Sequence, residues 1–139
     1  MDSLQSFLAK LQSQNPKYMA QWTPQQIQGE FREARFFVIP QIENPQALAL
    51  VRSFPGEPGK GDVTFIAVAK TYQGQGLGRE LFKQICEGGF SDLTVEVHAD
   101  NEAGKAFYLA LGFEPSGRRP NYYGPTKDAL LFRYQVPAG

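Results

Sequence analysis

The chain has one cysteine, Cys86, and one histidine, His98, in 139 residues. A lone thiol cannot close an internal disulfide, and one Cys with one His is a poor ligand set for zinc. No metal is expected, and a reduced, cytoplasmic setting fits best. Net charge is missing as well, since Lys plus Arg and Asp plus Glu each number 14. Nothing in the overall charge draws the chain to a polyanion, so neither nucleic acid nor an anionic membrane is expected as a partner. No apolar run is long enough to span a bilayer. The opening "MDSLQSFLAKLQSQ" also lacks the basic start and unbroken apolar stretch of a secretory signal. Internal repeats, low-complexity tracts and long linkers are absent. One domain over residues 1–139 is expected, with 42% hydrophobic residues to build its core.

What is present reads as alternating helices and strands. Leu4, Phe7, Leu8 and Leu11 fall at i, i+3, i+4 and i+7, the spacing of one buried helical face. "WTPQQI" is a helix start, with Thr23 as N-cap, Pro24 in the first position, Gln26 three residues on, and Trp22 able to staple onto Ile27. That second helix runs to about Phe31. "RFFVIPQI" and "ALALVRSF" are rich in strand formers around the turn signal "ENPQ", which predicts a hairpin. After the loop "PGEPGKG" comes "DVTFIAVAK", the clearest strand in the chain. Leu77, Leu81 and Ile85 then mark a helix ended by Gly88 and Gly89. "DLTVEVHA" predicts a strand, "NEAGKAFYLALGF" a helix closed by Gly112, "PSGRRPNYYGPTK" a loop, and "DALLFRYQV" a last strand. The order predicts an α/β fold with a mixed sheet.

Between the strand "DVTFIAVAK" and its helix lies "YQGQGLGRELF", with Gly74, Gly76 and Gly78 in five positions. Such a turn exposes backbone N–H groups at the positive end of a helix and lets an anion come close. It serves equally as a tight connection that uses glycine only for its backbone freedom. The Gly-Lys-Ser/Thr ending of a Walker A loop is absent, and the glycine spacing does not match the dinucleotide fingerprint.

Gln73, Gly76 and Gly78 after "FIAVAK" resemble the acetyl-CoA motif of the GCN5-related N-acetyltransferase (GNAT) superfamily, in which Arg or Gln is followed three residues later by Gly and then by Gly or Ala. "VEVHADNEAGKAFYLALGF" matches a second motif of that superfamily through Asn101, Tyr108, Gly112 and Phe113. With "EPSGRRPNYY" and "KDALLF" after it, this half of the chain is most similar to the bacterial ribosomal-protein N-terminal alanine acetyltransferases. The resemblance covers about residues 36–132. It implies a GNAT fold: a mixed, mostly antiparallel central sheet flanked by helices and splayed near the acetyl-CoA site. The family usually opens with a strand, whereas the first segment readable here is helical.

The resemblance also assigns roles. Gln73, Gly74, Gln75, Gly76, Leu77, Gly78 and Arg79 match the pyrophosphate loop, while Ile66, Ala67 and Val68 match the strand that hydrogen-bonds the pantetheine. Asn101 matches a further acetyl-CoA contact; its other reading is an ordinary N-cap. In "TVEVH" a period of two puts Thr94, Glu96 and His98 on one face and Val95 and Val97 on the other. Glu96 is thus a solvated mid-strand carboxylate or, by resemblance, the catalytic base. Helix periodicity gathers Ala103, Ala106, Phe107, Ala110 and Leu111 towards the sheet, with Asn101 and Tyr108 opposite. Tyr108 is a packing tyrosine or, by resemblance, the acid that protonates the departing thiolate. Tyr122 and Tyr123 match a pair beside the incoming peptide terminus, or else cover the sheet.

The implied activity is direct acetyl transfer from acetyl-CoA, in a ternary complex, to the N-terminal α-amine of a protein such as a ribosomal protein. Acetylation of a small amine and non-catalytic acetyl-CoA binding are the alternatives. A monomer or homodimer is expected.

Overall fold

Asp2 starts the first helix. In the computed structural model, which describes residues 2–137, its carboxylate accepts the Gln5 N–H at 2.8 Å and caps α1 (Ser3–Gln14). Leu4, Phe7, Leu8 and Leu11 are all buried, as their spacing predicts. Leu8 and Leu11 are wholly removed from solvent, each contributing roughly 1.5–3 kcal/mol. Helix α2 (Pro24–Glu33) has both halves of its capping box: the Gln26 N–H donates to Thr23 Oγ1 at 3.2 Å, and the Thr23 N–H to Gln26 Oε1 at 2.8 Å. No strand precedes α1 among the described residues.

Six strands follow, β1 (Arg35–Ile39), β2 (Ala47–Ser53), β3 (Lys60–Val68), β4 (Asp92–His98), β5 (Glu114–Arg119) and β6 (Ala129–Gln135), in the spatial order β1-β2-β3-β4-β6-β5. Only β3 and β4 run parallel, and α3 (Leu77–Glu87) makes the crossover such a pair requires. The other four pairings are antiparallel. Strand β2 is buried from Ala47 to Val51 because it is covered twice. Leu48 and Leu50 pack with α1 and α2, and Ala47, Ala49 and Val51 pack on the face that carries α3 and α4 (Glu102–Leu111). The mixed, mostly antiparallel sheet flanked by helices is the architecture expected from the sequence.

The feature that builds a site is where β3 and β4 part. They pair only from Lys60 to Val63 and Asp92 to Val95. Beyond that, β3 continues against β2 to Val68 and β4 continues against β6 to His98. The sheet is splayed, leaving the facing edges of both strands free of each other.

Two local expectations are corrected. Residues 115–119 are expected in a loop, and with Glu114 they form β5. All six are exposed, and Pro115, Ser116 and Gly117 are poor strand formers, so no alternation marks the segment. Its extended state comes from pairing with β6, with an irregularity between Pro115 and Gly117 as expected of an edge strand. The orientation of α4 is the second correction. Ala103, Ala106 and Ala110 are exposed, whereas Tyr108 is buried and belongs to the core. Phe107 and Leu111 do pack on the core as their spacing predicts, but beside Tyr108 and not beside the alanines. An aromatic ring offers far more apolar surface than three methyl groups, so its burial sets the rotation of the helix. Phe107 stays at the helix–helix contact, where a Cβ on Gly78 would come within 2.9 Å of its ring.

Candidate active site

The gap between β3 and β4 opens into a cavity of about 850 Å³. Its walls are β3 from Asp62 to Ile66, β4 from Val95 to His98, the start of α4, the α1–α2 connection and the loop before β6. Six of the residues marked out by the sequence share it: Ile66, Glu96, Asn101, Tyr108, Tyr122 and Tyr123. Ala67, Val68 and Gln73–Arg79 do not line it; they carry β3 onward to the start of α3.

Alternation along β4 is as read from the sequence. Val95 and Val97 enter the core shared with α3 and α4, so Glu96 and His98 point to the other face. Glu96 is neither idle nor free: Arg119 Nη1 lies 3.2 Å from its Oε1. Tyr108 reaches the cavity from the opposite face through the gap. Its ring packs against Phe113 at 5.3 Å and Phe107 at 5.1 Å. No buried side-chain polar atom among the described residues lacks a partner, and Tyr108 has no bonded one, so its hydroxyl opens onto the cavity it lines. Burial pushes its ionisation well above the usual phenol range, which keeps it a proton donor.

His98 anchors an aromatic cluster at the mouth. Its ring stacks on Tyr123 at 4.9 Å with 8° between the planes, and Tyr18 lies 5.1 Å away on a tilt. Its Nδ1 accepts the Asp100 N–H at 3.2 Å, and the Tyr18 hydroxyl donates to the Asp100 carbonyl at 3.2 Å. Three separate segments meet there. Burial, then the nearby Glu96 charge, raise the Tyr123 phenol above its ordinary value, with Arg119 opposing. Tyr122 stands edge-on to Tyr123 at 5.1 Å and is half exposed. Asp128 holds this loop: its carboxylate accepts from the Asn121 N–H at 2.9 Å and from Arg118 at 2.6 Å, which keeps it below the usual carboxylate range.

Asn101 is the N-cap of α4, its Oδ1 accepting the Gly104 N–H at 2.9 Å. It also lines the cavity, so the capping and contact readings share one side chain. In the glycine loop, Gly74 and Gly76 take φ of 83° and 81°, and a Cβ on either would meet nothing within 4 Å. Those two positions need glycine for the left-handed backbone, and the loop above them is open. The Glu80 N–H is the first to find a helical acceptor, Gly76, so the N–H groups of Leu77, Gly78 and Arg79 stand free at the helix start. The Gln73 side chain donates to the Val68 carbonyl at 3.2 Å, tying loop to strand.

Sequence reasoning missed Tyr18, the Arg119–Glu96 pair and Asp128. Each acts across many residues, and no local spacing signals it. Cys86 is half-buried in α3, where burial and then Glu87 push its thiol up, unlike a nucleophile. No group of three or more His, Cys, Asp or Glu that could hold a metal occurs among the described residues, and no described helix is long and apolar enough to cross a membrane.

The family model described as Acetyltransferase (GNAT) family matches residues 4–113. The [ribosomal protein bS18]-alanine N-acetyltransferase of Escherichia coli K12 is 45% identical over 78 residues, covering 51% of this chain and 53% of that protein. The N-alpha-acetyltransferase RimI of Mycobacterium tuberculosis is 38% identical over 80 residues, covering 55% and 49%. The chain thus spans about half the length of these curated relatives. The crystal structure of the ribosomal-protein-S18-alanine N-acetyltransferase from Escherichia coli superposes with a TM-score of 0.76 at 26% identity, covering 99% of this chain and 90% of that one.

Proposed function

The chain belongs to the acetyltransferase (GNAT) family, and from that premise we propose that it transfers acetyl from acetyl-CoA to the α-amine at a protein N-terminus, directly and in a ternary complex. One observation carries the reading: the Glu96 and Tyr108 side chains come from opposite faces of the sheet and line the same cavity at the β3–β4 gap. A base and an acid on two sides of one space suit a reaction that removes a proton from one partner and delivers one to the other.

The residues fit acetyl-CoA. The open loop with Gly74 and Gly76 in the left-handed region, and the free N–H groups of Leu77, Gly78 and Arg79, make an anion cradle for the pyrophosphate. Gln73 and Gln75 belong to the same loop. The unpaired edge of β3 at Ile66, Ala67 and Val68 offers backbone groups to the pantetheine amides, and Asn101 adds a polar wall. Acetyl-CoA supplies the activated thioester.

Glu96 takes the proton of the incoming α-ammonium, whose reference pKa of about 7.7–8.0 leaves much of it protonated at neutral pH. Tyr108, kept protonated by burial, donates to the departing sulfur. Direct transfer needs no enzyme nucleophile. Tyr122 and Tyr123, with Tyr18 across the mouth, flank an opening between two loops, which suits a chain end threading inward. The names of the relatives favour a ribosomal protein as the acceptor.

Transfer from labelled acetyl-CoA to peptides beginning with Ala, Ser, Met or Lys, beside small amines, tests the reading. Peptides with a small first residue should be labelled at the α-amine. Labelling of small amines alone would sink the protein-acceptor part. Tight acetyl-CoA binding with no turnover on any acceptor would leave only a binding module.

A further inference from the structure

The bulge in β3 falls at Thr64: Leu50 pairs with Phe65 and Val51 with Val63, so Thr64 has no register partner on β2, and only its hydroxyl reaches that strand, 3.4 Å from the Leu50 carbonyl. Thr64 is also the first residue past the last β3–β4 pair, Val63 with Val95. One residue therefore marks both the bulge and the point where the sheet splays. Its hydroxyl donates at 2.7 Å to Oε2 of Glu30, a carboxylate on α2 that is only 8% exposed. Glu30 also receives Arg52 of β2, with Nε 3.0 Å from both carboxylate oxygens and Nη2 2.5 Å from Oε1. A buried carboxylate costs free energy even when paired, and an apolar residue would fill the same space more cheaply. What the carboxylate adds is direction. It ties α2 to β2 and β3 at the very residue where β3 changes course, and Trp22, just before α2, packs on the next core residue, Phe65, at 5.9 Å.

We infer that Glu30 and Thr64 are positioning residues for the acetyl-CoA site: their hydrogen bond fixes the angle at which β3 leaves β4, and hence where Ile66, Ala67 and Val68 stand against Glu96 and Tyr108. This rests on the acetyl-transfer reading for its catalytic half. Its structural half does not need a ligand.

The test compares Thr64→Val, which keeps the branched shape but removes the hydroxyl, with Thr64→Ser, which restores it. Glu30→Gln provides a second route to the same contact. Amide exchange at residues 65–68, the KM for acetyl-CoA, kcat and the melting temperature are measured on the full chain. Arg133→Gln, which breaks the distant Asp92–Arg133 pair, serves as the control for general destabilisation. Thr64→Val should speed exchange at 65–68 and raise the KM for acetyl-CoA, each about tenfold for the loss of one charge-assisted bond. Thr64→Ser should return both to near the parent value. Unchanged exchange at 65–68, kinetic constants like the parent's in an active Thr64→Val enzyme, or the same pattern from Arg133→Gln would each overturn the inference. Because exchange needs no acetyl-CoA, an inactive parent chain would count against the acetyl-transfer reading, while the exchange comparison still decides whether Thr64 holds the strand.

Discussion

Arg119 Nη1 lies 3.2 Å from Oε1 of Glu96, so the edge strand β5 is tied to the carboxylate proposed as base on β4. Strand β6 lies between them in the sheet, so the pair bridges across its face. Arg119 also sits 5.4 Å from the centre of the Tyr122 ring, joining the Glu96 carboxylate to the loop before β6. Its side chain is 52% exposed, so solvent screening leaves the pair worth about 0–1 kcal/mol of stability. Its value is geometric: it aims the carboxylate into the cavity.

Replacing Glu96 by Gln should therefore lower kcat by about 10²–10⁴-fold, the usual range for a lost general base. Acetyl-CoA affinity, measured by titration, should stay near that of the parent. Arg119→Met should raise the KM for the acceptor while leaving acetyl-CoA binding alone. An unaltered kcat for Glu96→Gln would remove this residue from the chemistry.

Tyr108→Phe keeps the ring and removes the proton, so kcat should fall by about 10²–10⁴-fold with the KM for acetyl-CoA little changed. Burial raises the Tyr108 ionisation in the folded chain. A raised folded value favours the neutral form, so its contribution to stability is present below the unfolded phenol value of about 10 and is lost as pH rises beyond it. Urea midpoints of the parent should drop more steeply above about pH 10 than those of Tyr108→Phe. Parallel curves would mean that the phenol is better solvated than its packing implies.

How far these elements could be read from sequence depends on how local their causes are. The caps at Thr23 and the stripe of Leu4, Phe7, Leu8 and Leu11 rest on neighbours within one or two turns, and both are found as read. The face of β4 that carries Glu96 follows from a period of two and needs no partner. Strand β5 has no such signal, because its extended state is supplied by β6. The rotation of α4 departs from its apolar pattern for a different reason: Phe107 and Leu111 pack on the core as their spacing predicts, but the buried Tyr108 ring takes the place beside them that counting apolar positions gives to the exposed alanines. Tyr108 thus came to the cavity by being buried at the gap rather than by facing away from the core. The Arg119–Glu96 contact joins residues 23 apart, and no spacing rule reaches it.

The glycine loop separates conformational need from space. At Gly76 a side chain would have room but not the right backbone, since φ is 81° and nothing lies within 4 Å of a Cβ. Gly76→Ala should cost roughly 1–2 kcal/mol, the penalty of the left-handed region, and should raise the KM for acetyl-CoA as the N–H groups of the cradle shift. Gly78→Ala is strained by Phe107 at 2.9 Å instead. It should loosen the contact between α3 and α4, lowering the melting temperature. Equal acetyl-CoA affinities in Gly76→Ala and the parent would place the pyrophosphate elsewhere.

Glu30 gives a pH signature. Burial alone would raise its ionisation, but the hydrogen bonds from Arg52 and Thr64 and the Arg52 charge outweigh it, and the folded value is lowered. A lowered carboxylate stabilises the fold above its unfolded value, about 4.3, and that contribution is lost as pH falls through the folded value. The parent should therefore exceed Glu30→Gln in urea midpoint at pH 7, with the gap narrowing steadily below about pH 4. Removing Arg52 instead should be worse at neutral pH, because it leaves a buried carboxylate without its cation; Arg52→Met should cost about 1–3 kcal/mol after allowance for the half-exposed guanidinium. That ordering, Arg52→Met below Glu30→Gln at pH 7 and the two converging in acid, is what a buried charge held for direction requires. A gap between the parent and Glu30→Gln that stays constant from pH 7 to about pH 3 would show that the charge of Glu30 contributes nothing.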